Sequence, residues 1–204
     1  MIKNPFDTFQ TLTVLFLLSM ALVFPSHVSA EDQEEVIERV LKSVVRIDVI
    51  DSNGQAFKQG TGFCIEKGII ATNVHVLKDG SRFKVTRPDG KATVITGIWK
   101  YDVDRDIALA QLGDVEGNGN IPPLKIAPED SIRLGTSIFA FGNPKGLNFS
   151  VSSGLISSLD RNIKELDPDM TGTGLQIDVS SAPGGSGGPI VNKHGEVVGI
   201  LFAI

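Results

Sequence analysis

From Glu34 to Leu41 the apolar positions Val36, Ile37, Val40 and Leu41 recur at helical spacing, with acids early in the run where the helix dipole favours them. The pattern predicts a short leading helix. The period then falls to two: Val45, Ile47 and Val49 alternate with Arg46 and Asp48 and stop at Asp51-Ser52-Asn53-Gly54, a hairpin-turn signal. Short strand-like runs follow at Gly62 to Ile65, Gly68 to Thr72, Arg82 to Thr86, Ala92 to Lys100 and Ile107 to Leu112, with Arg87-Pro88-Asp89-Gly90 as a turn. Gly113 to Pro123 is polar and rich in Gly and Pro, a linker dividing the chain. Beyond it lie further strand-like runs at Ile138 to Phe141, Ser150 to Leu159, Gly174 to Val179, Pro189 to Val191 and Glu196 to Ile204. Many short strands, one minor helix and Gly-rich turns predict an all-β chain. The expected organisation is a leading helix and β-barrel over 31–112, a linker over 113–123 and a second β-barrel over 124–204.

The first thirty residues read as a processing signal. Lys3 supplies a positive start, Thr11 to Phe24 an apolar stretch, and Val28-Ser29-Ala30 a small-residue cleavage site. Cleavage after Ala30 would leave 174 of the 204 residues, exported to the periplasm or the medium, with no stable membrane anchor. The formal net charge is −5 and no Lys/Arg cluster stands out, which argues against nucleic acid as a partner. Cys64 is the one cysteine, so no intrachain disulfide forms; placed between Phe63 and Ile65 it reads as a small buried hydrophobe. With no Cys/His grouping, neither a metal nor another cofactor is expected.

The candidate chemistry sits in Pro183-Gly184-Gly185-Ser186-Gly187-Gly188-Pro189. Glycines around one serine let successive backbone N–H groups converge on a small cavity suited to an oxyanion. A serine hydroxyl needs an imidazole to take its proton and a buried carboxylate to hold that imidazole. Thr72-Asn73-Val74-His75-Val76 and Asp104-Arg105-Asp106-Ile107-Ala108-Leu109 supply both. Asp102 and Asp104 compete with Asp106 on composition; Asp106 directly precedes an apolar run that would bury its carboxylate. His194 reads as part of an exposed turn, Asn192 to Gly195, and Asp167 and Asp169 as a solvated loop. Asn148-Phe149-Ser150 fits a glycosylation sequon.

In this order Gly60-Thr61-Gly62-Phe63, Thr72-Asn73-Val74-His75-Val76, Asp106-Ile107-Ala108-Leu109, Phe141-Gly142-Asn143-Pro144, Ser150 to Ser157, Gln176-Ile177-Asp178 and Gly184 to Pro189 resemble the trypsin-fold serine endopeptidases of the HtrA/Deg type. The resemblance covers roughly residues 36 to 203. It implies two barrels of the six-stranded type. Such proteases usually continue beyond the position of Ile204 through another strand and a closing helix, often into a PDZ domain; the expectation here is a protease domain without a PDZ domain, with either an abbreviated second barrel or a truncated chain. It also implies Ser186 as nucleophile, His75 as general base and Asp106 as its orienting acid. The oxyanion hole falls on the backbone of Gly184, Gly185 and Ser186, and the substrate pocket on Ser180, Gly199, Ile200 and Leu201. Ser180 carries no charge, so a basic cleavage preference is not expected. Extended or unfolded polypeptides are the implied partners, and oligomeric state stays open. Gly185 stands where these proteases usually carry asparagine, and this keeps an alternative in play: a catalytically weak or inactive module that binds peptides or partner proteins.

Overall fold

In the computed structural model, which describes residues 32–113, 121–143, 149–165, 168, 170–180 and 184–202, the leading helix forms as α1, Gln33–Leu41. Its buried Val36 and Val40 lie one turn apart, and Glu34 and Glu35 occupy the first turn. That helix packs on the turn ending at Gly195, where the Arg39 guanidinium donates to the His194 carbonyl at 2.9 Å. The predicted leader, Pro183, the sequon residue Asn148, both loop acids and linker residues 114–120 lie outside the described residues.

The first half is a closed six-stranded barrel. Its strands are β1 (Val44–Ile50), β2 (Ala56–Glu66), β3 (Ile69–Thr72), β4 (Arg82–Thr86), β5 (Ala92–Asp102) and β6 (Ile107–Leu112), in the order β1-β2-β3-β6-β5-β4. Between β3 and β4 stands a one-turn helix, α2 (Val74–Leu77), which the apolar pattern does not signal. Strand β2 runs well beyond the predicted 62–65, because it pairs with β1 from Val44↔Phe63 to Ile50↔Ala56. Its polar start is held across the sheet, where the Gln59 amide donates to Asp48 at 2.8 Å. The ladder, not apolar alternation, makes those residues strand.

The second half has β7 (Ser137–Gly142), β8 (Ser150–Asn162), β9 (Thr173–Asp178), β10 (Pro189–Asn192) and β11 (Val197–Ile200), in an open, curled sheet ordered β11-β10-β7-β8-β9. The all-β reading as a two-barrel trypsin-like fold therefore holds, as one closed barrel and one curled half-barrel among the described residues. Strand β11 ends at Ile200, after which the Leu201 N–H donates to the Gly188 carbonyl at 2.8 Å; residues 203–204 of the expected run lie outside the described residues.

Three apolar clusters hold this arrangement. Val45, Ile47, Ile70 and Val85 fill the first barrel, and Ile138, Ile156 and Ile190 line the second sheet. The third joins the halves: Val36 and Val40 of α1 meet Phe63 and Ala71 of the first barrel and Phe139, Phe141 and Val191 of the second sheet. Burying such side chains contributes roughly 1.5–3 kcal/mol each, so this shared cluster sets how the halves sit. Cys64 is fully buried, with Sγ 3.0 Å from the Glu66 carbonyl and 3.3 Å from that of Ile121. Burial pushes its thiol up to about 11, as expected of an inert core cysteine.

Candidate active site

His75 sits in the single turn of α2, directly after β3. Its Nδ1 lies 2.5 Å from Asp106 Oδ2, and its backbone N–H donates to Asp106 Oδ1 at 2.7 Å. The Asp106 carbonyl also points back at this segment, accepting from the Asn73 side-chain amide at 2.8 Å and from the Val74 N–H at 3.3 Å. One aspartate thus clamps residues 73 to 75 through both its carboxylate and its backbone. It does so from a left-handed conformation, φ 53°, which Asp tolerates better than most residues. At 6 % exposure the carboxylate is shielded from water, which strengthens its hold on the imidazole.

A neutral imidazole has one donor nitrogen and one acceptor nitrogen. With Nδ1 donating to the carboxylate, Nε2 carries the lone pair. Lys58 Nζ donates to the His75 carbonyl, and the Phe202 ring meets the imidazole edge-on with centroids 5.8 Å apart. Asp102 and Asp104 are engaged elsewhere. Asp102 accepts from the Arg105 guanidinium at 2.7 Å, a contact that lowers its carboxyl below the usual range, and the Asp104 carbonyl accepts from the Thr171 N–H. His194 lies exposed in the β10–β11 turn.

Ser186 belongs to the loop that enters β10, and Thr61 of β2 ties that loop to the first barrel. The Thr61 N–H donates to the Ser186 carbonyl at 2.9 Å and the Thr61 hydroxyl to the Gly184 carbonyl at 2.7 Å. Gly187 presses on the end of β3: a Cβ there would lie 2.2 Å from the Thr61 carbonyl oxygen and 2.3 Å from Thr72 Oγ1. It would also come within 3.2 Å of the Asn73 nitrogen, two residues before His75. The serine loop is thereby seated on the segment that carries the histidine.

The loop carbonyls are turned into the protein, Gly184 and Ser186 toward Thr61 and Gly185 toward the Gly188 N–H at 3.0 Å. In a trans peptide the N–H of the next residue points the opposite way. The N–H groups of Gly185 and Ser186 accordingly face away from Thr61 and Gly188. Gly184 reaches this arrangement with φ 101°, open to glycine and to few other residues.

Of the predicted pocket residues, Gly199, Ile200 and Leu201 line a cavity of about 510 Å³ that also reaches Asn73, Arg105 and Phe202. Ser180 lies exposed after β9, outside that lining. The Leu201 backbone is already engaged, its N–H with Gly188 and its C=O with Gly187. Sequence reasoning passed over Thr61, Asn73 and Phe202 as individual contributors. The signal for Thr61 was a hydroxyl between two glycines at the mid-point of a strand, where no turn needs it.

Because Gly187 has φ +86° and no space for a methyl, Gly187→Ala is expected to cost at least about 2 kcal/mol. Gly90→Ala, with φ +81° but nothing within 4 Å, should cost only the backbone preference, about 1 kcal/mol. Urea denaturation midpoints of the two variants check this; equal losses would mean that the contact with Thr61 and Thr72 is not tight.

The model of the trypsin-like peptidase domain matches residues 60–200, which contain His75, Asp106 and Ser186. The chain belongs to this family. Among relatives of the trypsin-like peptidase domain, serine protease HTRA1 of Xenopus laevis is 35% identical over 175 residues, 81% of this chain and 37% of that protein. The periplasmic serine endoprotease DegP of Salmonella typhimurium is 37% identical over 147 residues, 71% of this chain and 30% of that protein. The anti-sigma-I factor RsgI9 of Acetivibrio thermocellus is 35% identical over 164 residues, 80% of this chain and 22% of that protein. The chain therefore spans well under half the length of each. Its similarity to the HtrA and DegP proteases falls on the two β halves that carry His75, Asp106 and Ser186.

Proposed function

We propose that this chain is an exported serine endopeptidase that hydrolyses peptide bonds of extended or unfolded polypeptides through an acyl-enzyme. The observation that carries the reading is the 2.5 Å contact between His75 Nδ1 and Asp106 Oδ2, made on the segment against which the Ser186 loop is seated. Asp106 fixes the ring so that Nε2 accepts a proton. Ser186 Oγ attacks the peptide carbonyl carbon as its proton passes to His75, and the carbonyl oxygen becomes an oxyanion. The backbone donors of the 184–186 loop stabilise that charge, each worth about 3 kcal/mol in the transition state. His75 then gives its proton to the departing amine, the C–N bond breaks and Ser186 holds the acyl group. Water, deprotonated by the same imidazole, releases the acid and restores the hydroxyl.

Export rests on the leader pattern at 1–30, and the name of DegP as a periplasmic endoprotease agrees with it. Incubating the purified chain with casein, with and without a fluorophosphonate, tests chemistry directly. Casein fragments that disappear when the reagent has reacted are the expected result.

A second reading, a peptide- or partner-binding module, is favoured by RsgI9, whose name is that of an anti-sigma factor, and by Gly185, which adds backbone freedom to the oxyanion loop. Intact casein and an unlabelled but folded chain that still retains casein on a column would select it.

A further inference from the structure

Lys58 occupies a position where the strand pattern calls for an apolar side chain. In β2 it stands opposite Val49, and Gly60 stands opposite Ile47; both partners are fully buried. Residues directly opposite one another in a ladder share a face, so Lys58 and Gly60 lie on the side of β2 that looks into the first barrel. Lys58 is half-buried there, and among the described residues no carboxylate pairs with its ammonium. What it meets instead is the catalytic segment: Nζ donates to the carbonyl oxygen of His75.

The element that receives this bond cannot hold itself. Helix α2 is four residues long, too short to be stable alone in water, and Asn73 at its start makes no side-chain cap bond to it. Its shape is imposed from outside. Asp106 takes the His75 N–H and the imidazole. Gly60 makes room for buried Val76, since a Cβ at residue 60 would lie 2.4 Å from Val76 Cγ1. Lys58 takes the His75 carbonyl, whose other donor, the Lys78 N–H, is at a long 3.3 Å. The two peptide groups flanking the His75 Cα are thus held separately, one by a carboxylate and one by an ammonium, and charge-assisted bonds are the stronger kind. Together they set the direction in which the imidazole leaves the backbone. Thr61 of the same strand grips the Gly184 and Ser186 carbonyls, so residues 58–61 of β2 hold both the histidine turn and the serine loop.

We propose that Lys58 is a positioning residue for His75: its ammonium, fastened to the His75 carbonyl, fixes the α2 turn so that Nε2 is presented to Ser186. The inference rests on the endopeptidase reading for its effect on rate, and it names a further residue of that same site. Lys58 acts only through His75. A misplacement of about 1 Å at a reacting group can cost about 100-fold in rate. Loss of this bond therefore falls on kcat, whereas KM, set by contacts between substrate and other parts of the chain, stays.

The test compares the full chain with Lys58→Met, which keeps an apolar stem and loses the donor, and with Lys58→Cys before and after 2-bromoethylamine. The thiolate displaces bromide, and the aminoethyl thioether rebuilds a side chain of lysine's reach and charge. Cys64 is buried with its thiol pushed up to about 11, so the same treatment should leave the parent unchanged. On labelled casein, Lys58→Met should lose at least about tenfold in kcat with KM within about twofold. Its thermal midpoint should stay within about 3 °C, the shift from about 1 kcal/mol in a chain of this size. Lys58→Cys should lose as much and recover most of it on aminoethylation, and Lys91→Met, exposed just before β5, should match the parent. Proton NMR supplies a readout independent of hydrolysis. The proton between His75 Nδ1 and Asp106 should resonate far downfield, disappear in His75→Ala, broaden in Lys58→Met and sharpen again after aminoethylation. Parent-like kcat in Lys58→Met, a change confined to KM, a larger fall in thermal midpoint, or no recovery on aminoethylation would overturn the proposal. A downfield proton that depends on Lys58 in a chain that neither cleaves casein nor reacts with a fluorophosphonate would sink the endopeptidase reading and leave the placement of His75 by Lys58 standing. A parent chain with neither hydrolysis nor that resonance overturns both.

Discussion

Ser186→Ala is expected to lower casein hydrolysis by about 10⁶-fold, the loss seen when a serine protease loses its nucleophile. Nothing else in the site can replace the hydroxyl, because alanine has no atom to attack the carbonyl carbon. Stability should change by less than about 0.5 kcal/mol. The contacts that hold this residue are made by its backbone, the carbonyl accepting from the Thr61 N–H at 2.9 Å, and alanine keeps them. Fluorophosphonate labelling followed by peptide mapping provides the independent check: the adduct should sit on Ser186 and vanish in the variant. Undiminished turnover by Ser186→Ala would place the nucleophile elsewhere and remove the main support of the proposed function.

Asp106→Asn should cost about 10⁴-fold in kcat, with the fold retained. Both carboxylate oxygens are in use, Oδ1 on the His75 N–H at 2.7 Å and Oδ2 on Nδ1 at 2.5 Å. An amide has one oxygen and one NH₂, so it cannot accept at both positions. Where NH₂ faces Nδ1, that nitrogen must become the acceptor and the proton moves to Nε2, leaving the ring unable to act as a base toward Ser186. Asparagine tolerates φ 53° as aspartate does, so backbone strain does not confuse the result. The Asp104→Asn control should stay within about twofold of the parent chain, since that residue is exposed and meets Thr171 through its carbonyl. If Asp104→Asn were the damaging change, the acid would have been misassigned.

These expectations draw unequally on sequence and structure. The order of His75, Asp106 and a Gly-flanked Ser186 was legible along the chain, because each has a local signature in the residues beside it. The pocket was less legible. Gly199, Ile200 and Leu201 share a cavity, but Ser180 lies off it and the Leu201 backbone is committed to the serine loop. A pocket wall comes from segments brought together by closure of a sheet, and no local pattern records which edge of a strand is already paired.

The sequence by itself determined which residues alternate, where the leading helix starts, which cysteine is buried and which three side chains are candidates for chemistry. These follow from side-chain period and from the local needs of turns. Tertiary structure decided the rest. It joined His75 to Asp106 across 31 positions and let Thr61 hold Gly184 across 123. Such bonds depend on the register and curvature of strands far apart in the chain, quantities that periodicity within one strand does not contain.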